Sequence, residues 1–327
     1  MLVCLLVAAD TKELLNTIAQ IHPLRLLIPV GATIASYIAM ARSYQGIALA
    51  ANVPFSFWEM FKITFVANSM NYVVATGGLS GFAVRLYFFT RRGVSAGTAT
   101  SISLAQGLIT NISLLFFLVV GFGYLMTSDK LSTGAQIGSG VLLIACFSIT
   151  ALVIALLFAR DRRRRIIFTL AQASDRFMLW ALPRYKPART RIWRFQRNLN
   201  RGIDFLLDRK QHMLEPTVWI LIDWVLTLMI LYGAFICLDY HVSFGVLVIG
   251  FAVGLSLSFV SVIPGGLGLM EGSMAAVFTT LGVPFETGVV ATLIFRIAFH
   301  AVPLVTSLFL FHGLFVEGRA HSEMPEE

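Results

Sequence analysis

Charge is scarce in this sequence. Lysine, arginine, aspartate and glutamate make up 13% of its 327 residues, about half of the roughly 25% found in soluble domains. A water-soluble globule is thereby excluded, and so is a disordered chain. Cysteine is equally rare. Cys4, Cys146 and Cys237 lie far apart in apolar stretches with no C-x-x-C spacing, which supports neither a zinc site nor a disulfide framework. They read as small packing residues. There is no P-loop, no H-E-x-x-H and no G-x-S-x-G. The six histidines are scattered, and no His/Asp/Glu cluster has metal-ligand spacing. No soluble segment is large enough for a separate catalytic domain. No catalytic residue, metal or cofactor is expected, and the chain is not expected to be an enzyme.

What is present is apolar sequence: 57% hydrophobic residues, 12% of the chain aromatic, and a mean hydropathy of +0.80. The few charges are also unevenly spread. Residues 160–210 hold 15 of the 25 Lys+Arg and 4 of the 17 acids, so this segment is +11 and the remainder −3. A basic block interrupting apolar runs marks a cytoplasmic loop beside anionic lipid rather than a nucleic-acid binder.

A spanning helix needs about 20 apolar residues. Runs of that kind occur near 24–42, 57–76, 97–126, 136–159, 214–238, 242–263 and 288–316. The expected fold is therefore all-α, a polytopic integral membrane protein with about seven long spans. Residues 1–8 are apolar but too short to span, and lack the basic start and cleavage site of a signal peptide. They read as the tail of a helix that begins before this sequence. Two more apolar pieces, 79–90 and 269–282, are also short, and each follows glycines. Arg42, Arg91-Arg92 and the 160–213 segment fall on one side if the spans alternate, and the links around Asp129 and Asp239 on the other. The positive-inside rule places the first set in the cytoplasm, and the tail, 317–327, is expected there too. Within the basic loop, Ile192, Phe195, Leu199, Ile203 and Leu206 recur at helical spacing, and Ile166, Ile167, Leu170, Phe177 and Met178 form a looser stripe. These suggest interfacial helices with basic faces toward anionic lipid, or a topology signal and nothing more.

The loop divides the chain into a first membrane half, 1–159, and a second, 214–316, which echo each other. Gly77-Gly78-Leu79-Ser80-Gly81 breaks the first half; Pro264-Gly265-Gly266-Leu267-Gly268 breaks the second. Paired glycine-broken segments at corresponding positions point to a transporter binding site. Broken helices survive in hydrocarbon only where protein or a water-filled cavity receives their backbone, and half-helix N-termini suit an anionic headgroup. Both segments are expected to be re-entrant, with close helix packing the competing use of the glycines. Intramembrane charges mark the same places. Arg85 follows the first turn, Glu271 follows the second, and Arg296 lies in the last run with His300 one turn later and Pro303 beyond. A charge at the bilayer centre costs about 2.5–3.5 kcal/mol on insertion scales, so these four are the candidate headgroup-binding residues. A buried Glu271–Arg296 pair that only fixes the fold is the alternative. Asp223 is expected near the cytoplasmic end of its run, solvated. Asn68, Asn71 and Asn111 are expected to hydrogen-bond between helices.

These residues form recognisable motifs. Val262 to Gly272, Val-Ile-Pro-Gly-Gly-Leu-Gly-Leu-Met-Glu-Gly, then Gly282-Val283-Pro284, then Phe295-Arg296 with Pro303, closely resemble the C-terminal signature of the lysylphosphatidylglycerol synthase transmembrane-region family, also called flippase-like. Asn71, Gly77 to Gly81, Arg85-Leu86-Tyr87 and Arg91 to Ser95 look like its N-terminal element, G-x-x-x-R followed by G-x-S. The resemblance runs from about residue 1 to 316. It implies a bacterial inner-membrane protein of two subdomains, with re-entrant helices around a lipid-accessible cavity. In bifunctional members this region moves aminoacylated phosphatidylglycerol between leaflets while a soluble domain makes that lipid. No such domain is seen in this sequence, so synthase activity is not carried over. Many members place an acid just after the first glycine turn, where this chain has Phe82, and an Arg…Asp pair in the next span, where it has Leu108, Thr110 and Asn111. The expected function is a lipid transporter or flippase whose partners are membrane phospholipids or other polar lipids, including hopanoid or polyprenyl lipids. A homo-oligomer or a separate lipid synthase is a further partner to consider. The alternatives are a membrane enzyme or enzyme subunit acting on a lipid-linked substrate, and a lipid-binding scaffold.

Overall fold

The computed structural model describes residues 11–19, 21–73, 78–127, 133–181, 189–260 and 268–310. Residues 1–8, Gly77, Asp129, Pro264 to Gly266 and the tail 317–327 lie outside them. The described residues are helices joined by short turns, with no strand among them. After α1 (Thr11–Ala19) comes a 3-10 turn, Pro23–Leu26, that opens α2 (Leu27–Ala50); α3 (Phe57–Val73), α4 (Leu79–Arg91) and α5 (Ala96–Thr127) follow. Three helices make the connection: α6 (Thr133–Phe158), α7 (Arg160–Ala181) and α8 (Arg189–Asp208). A second 3-10 turn, Lys210–Met213, then opens α9 (Leu214–Cys237), followed by α10 (Phe244–Val260), α11 (Leu269–Thr280) and α12 (Phe285–Arg296). A π turn, Ile297–Ala301, carries α12 on into helix over 302–310.

The two sets match element by element. Each runs from a four-residue 3-10 turn to a 24-residue helix, a 17-residue helix, a helix of 13 or 12 residues and a last long helix. The joints match as well. Asn52 (φ 56°) ends α2 and Asp239 (φ 57°) ends α9, two residue types that tolerate the left-handed region. In both, the next N–H reaches back five residues, Val53 to Ala48 O at 2.8 Å and Tyr240 to Phe235 O at 3.1 Å, the Schellman closure of a helix end. Gly93 and Gly282 close α4 and α11 in the same way, with Val94 bonded to Phe89 O and Val283 to Phe278 O.

How the repeats meet fixes their relation. Helices α2 and α9 pack antiparallel: His22 N–H donates to Cys237 O, Ser36 Oγ to Asp223 Oδ1 and Ser43 Oγ to Pro216 O. Ser36 and Asp223, 187 residues apart, are equivalent positions touching each other. On either side the contacts are reciprocal. Gly46 packs on Pro216, and its equivalent Gly233 packs on Pro29. Antiparallel helices that touch through their own equivalents require a two-fold relation perpendicular to the helix axes, an inverted repeat. The last helices cross over, α5 laying Gly121 against Val248 and Ile249 of α10 while the helix beyond Arg296 meets α3 at Ser69 and Tyr72. Lipid is no better a solvent for these helices than their neighbours, so small residues that allow close approach carry much of this association. The outer face of α9, Val218, Ile222, Val225 and Met229, is apolar and exposed, as a lipid-facing stripe requires.

Four described helices are long and apolar enough to cross a membrane: Pro23–Ala50, Ala96–Gly121, Gln211–Cys237 and Phe285–Leu310. Leu143–Phe158 with Arg160–Thr169, bent by 101°, makes a fifth if the pair is one span. Seven were expected. Among the described residues α3 and α10 run for 17 residues each, about 25 Å. Each pairs with the short helix that follows it. Ser80 reaches back to Met70, Gly81 to Asn71, and Phe89 to Phe55, so α3 and α4 form a helical hairpin that returns toward its own start. Glu59, which shares a capping box with Ser56, pairs with Arg92 across the open end. In the second repeat, Gly254 lies under Met274 and Gly250 under Phe278, the same hairpin built from α10 and α11.

Candidate functional site

Helices from both repeats meet along a buried polar seam. At its second-repeat end, Gly268 (φ 84°) starts α11 and places Glu271 at the third helical position. The Gly268 N–H donates to Glu271 Oε2 at 2.7 Å, while Oε1 lies 2.5 Å from Arg296 Nη1. The two side chains are only 3% and 12% exposed. A carboxylate in the first turn of α11 also complements the dipole of that helix. The pair locks the glycine turn to the last helix.

Beyond Arg296 the helix widens. Pro303 has no N–H to continue the ladder, and Val302 N–H donates to Ile297 O rather than to Ala298 O. The Ala298 carbonyl left over is taken by α2, where Thr33 Oγ1 donates to it at 3.3 Å, and on α3 Ser69 Oγ donates to Pro303 O at 3.1 Å. π turns of this kind recur at functional sites. This one holds the His300 ring 4.2 Å from that of Tyr72. Tyr72 Oη lies 3.4 Å from Tyr37 Oη, and next to Tyr37 on α2, Ser36 donates to Asp223 at 2.5 Å.

Arg85 is anchored elsewhere on the same seam. It is 5% exposed; its guanidinium lies 4.0 Å from the Tyr44 ring centroid, and Nη2 donates to Asn68 Oδ1 at 3.3 Å. Asn68 stands one turn before Tyr72 on α3, so one face of that helix touches both arginine neighbourhoods. Of the four charged or polar candidates, Glu271 and Arg296 are thus in direct contact, His300 adjoins them by one turn, and Arg85 sits on different partners. Among the turn glycines, Gly78 (φ 93°) and Gly268 adopt the left-handed conformation that their lack of a side chain permits. Gly81 serves close approach instead: a Cβ there would run into the Ala67 carbonyl and the Asn71 side chain. Gly77, Pro264, Gly265 and Gly266 fall outside the described residues.

Three expectations change. Asp223 is buried, not solvated at a helix end, because it lies at the centre of α9 where the repeats cross. Asn111 is exposed, and among the described residues it bonds within its own helix, to Gly107 O at 3.4 Å. The apolar stripe of α8 is used against protein: Leu199, Ile203 and Leu206 are buried, since Gly97 and Gly202 let α5 and α8 approach closely. Sequence reading passed over Tyr37, Tyr44 and Tyr72. The signal was there in hydroxyls carried on apolar helices, which must find partners once buried. At the surface end of the α2–α9 pair, Arg25 holds Asp239 at 2.7 Å, and this hydrogen bond and charge lower the Asp239 pKa.

The sequence profile of the lysylphosphatidylglycerol synthase TM region matches residues 1–306. The chain belongs to this family. Similar curated proteins include the phosphatidylglycerol lysyltransferases of Staphylococcus aureus strains MRSA252 and COL, each 34% identical over 89 residues, and that of Staphylococcus epidermidis, 31% identical over 94 residues. The alignments take in 27% to 29% of this chain and 11% of those proteins. A multi-pass bacterial membrane protein with a lipid-related role follows from this membership. At the third position of α4, the place equivalent to Glu271 in α11, this chain has Gly81. Asn71 supplies the acceptor instead, taking the Gly81 N–H at 2.7 Å, so a neutral group from α3 caps α4 where Glu271 caps α11.

Proposed function

We propose that this protein moves a phosphate-bearing lipid between leaflets, the headgroup passing along the polar seam where the inverted repeats meet. The observation that carries this reading is the pair of glycine-broken hairpins at equivalent places in two inverted repeats, one of them closed by a buried ion pair. Inverted repeats have two related packings, and their substrate sites lie at the repeat interface beside broken helices. Arg296 would exchange the Glu271 carboxylate for two phosphate oxygens, which match its paired N–H groups. Glu271, once displaced, would hold a cationic substituent such as an amino-acyl group. Arg85 offers a second guanidinium farther along the seam. The 160–213 segment is cytoplasmic in this account. The test is transbilayer movement of labelled phosphatidylglycerol in liposomes with and without the protein. A second reading, a membrane subunit serving a lysyl-transferring enzyme, is favoured by the names of the relatives. Formation of lysylated lipid on adding such an enzyme, with no transbilayer movement, would select it.

A further inference from the structure

Helices α7 and α8 enclose a groove of about 530 Å³ lined by Arg164, Arg165, Arg197 and Arg201 with Trp193 and Gln196. We infer that this groove is a second, separate binding site for the headgroup of an anionic phospholipid at the membrane surface. The site is built rather than a loose run of charge. Arg163, 4% exposed, donates to Asp204 at 2.5 Å, to Asn200 at 3.2 Å and to the Leu157 carbonyl in the last turn of α6. It therefore ties three helices together. Asp204, the acid in the lining, is held by Arg163 and by Arg160 at 3.3 Å. Among the described residues none of the four lining arginines is in an ion pair, and the buried Gln196 amide nitrogen has no hydrogen-bond partner. One buried donor and four guanidinium groups call for oxygen-rich anions.

Position decides for lipid over a dissolved anion. The groove begins where apolar α6 ends, and α7 turns away from α6 by 101°, which lays it along the surface at headgroup level. Trp193 and Phe168, 69% and 44% exposed, stand in the groove among the arginines. Exposed aromatic rings beside basic residues are the composition of a membrane interface. With the apolar stripe of α8 spent on α5, the groove side remains for lipid.

Trp193 supplies the readout. The protein in uncharged detergent is titrated with phosphatidylglycerol carrying brominated acyl chains, with the matching phosphatidylcholine, and with inorganic phosphate as competitor. The Trp193→Phe variant isolates its share of the fluorescence. Brominated phosphatidylglycerol should quench that share saturably at a midpoint at least tenfold below that of phosphatidylcholine. Arg197→Gln with Arg201→Gln should raise the midpoint at least tenfold at an unchanged melting temperature. Should that pair not fold, Arg164→Gln with Arg165→Gln on the opposite helix gives the same test. Equal quenching by the two lipids, or arginine variants that bind like wild type, would overturn the inference. Full displacement by millimolar phosphate would also overturn it, by making the groove a site for soluble anions.

Discussion

Replacing Glu271 by glutamine separates two duties that one carboxylate performs. The amide oxygen can still accept the Gly268 N–H, so the cap survives, but the guanidinium 2.5 Å away loses its counter-charge. Removing one member of a buried ion pair costs about 3–5 kcal/mol, and exposures of 3% and 12% place this pair in that class. Arg296→Gln should cost the same order, by leaving the carboxylate in a poorly hydrated place. Glu271→Ala should cost about 1 kcal/mol more than Glu271→Gln, because the cap goes as well. The double variant, Glu271→Gln with Arg296→Gln, removes both charges and keeps polar groups of similar shape. Neutralising both sides of a buried pair is often near neutral, so most of the stability should return. Denaturant titration in mixed micelles of wild type, the two single glutamine variants and the double gives the coupling energy, expected at about 5 kcal/mol or more. Single variants within about 1 kcal/mol of wild type, or a double variant whose cost is the sum of the singles, would refute the reasoning.

Gly78 and Gly81 should respond to alanine for different reasons. At Gly78 a Cβ meets nothing within 4 Å and only the left-handed backbone resists, at about 1–2 kcal/mol. At Gly81 it meets the α3 backbone and should open the hairpin, so Gly81→Ala should be the less stable variant by thermal melting; the reverse order contradicts the packing described. Gly202→Val should lift α8 from Ser101 of α5 and raise hydrogen exchange throughout Arg189–Asp208, whereas unchanged protection would show that the contact does not hold α8. Asp239 has a lowered pKa beside Arg25, so its contribution is present at neutral pH and lost as pH falls through that lowered value. Asp239→Asn should lower the melting temperature slightly at neutral pH and flatten the acid limb of its pH dependence below about pH 4, and an unaltered acid limb would count against the pairing.

The helical class, the membrane setting and the two echoing halves were readable because they rest on composition and on glycines that punctuate apolar runs. So was the Glu271–Arg296 contact, since two opposite charges in hydrocarbon must find each other. The inverted relation was not readable. It follows from Ser36 touching Asp223 and from the reciprocal Gly46–Pro216 and Gly233–Pro29 contacts, pairings that hydropathy does not encode. Asp223 was misplaced because position within an apolar run says nothing about which helix it faces. The stripe on α8 was legible as a helix face, but whether lipid or protein covers it depends on Gly97 and Gly202, whose role is visible only in contact.

The central claim is that Glu271 and Arg296 handle a lipid headgroup as well as hold the fold, and the double glutamine variant separates these duties. It should be folded and nearly as stable as wild type. The measurement is its rate of transbilayer movement of labelled phosphatidylglycerol in liposomes, beside wild-type protein and protein-free vesicles. Wild type should accelerate movement well above the vesicles alone, and the double variant should fall back toward them. A double variant that moves lipid at the wild-type rate would contradict the account and leave the pair as scaffold.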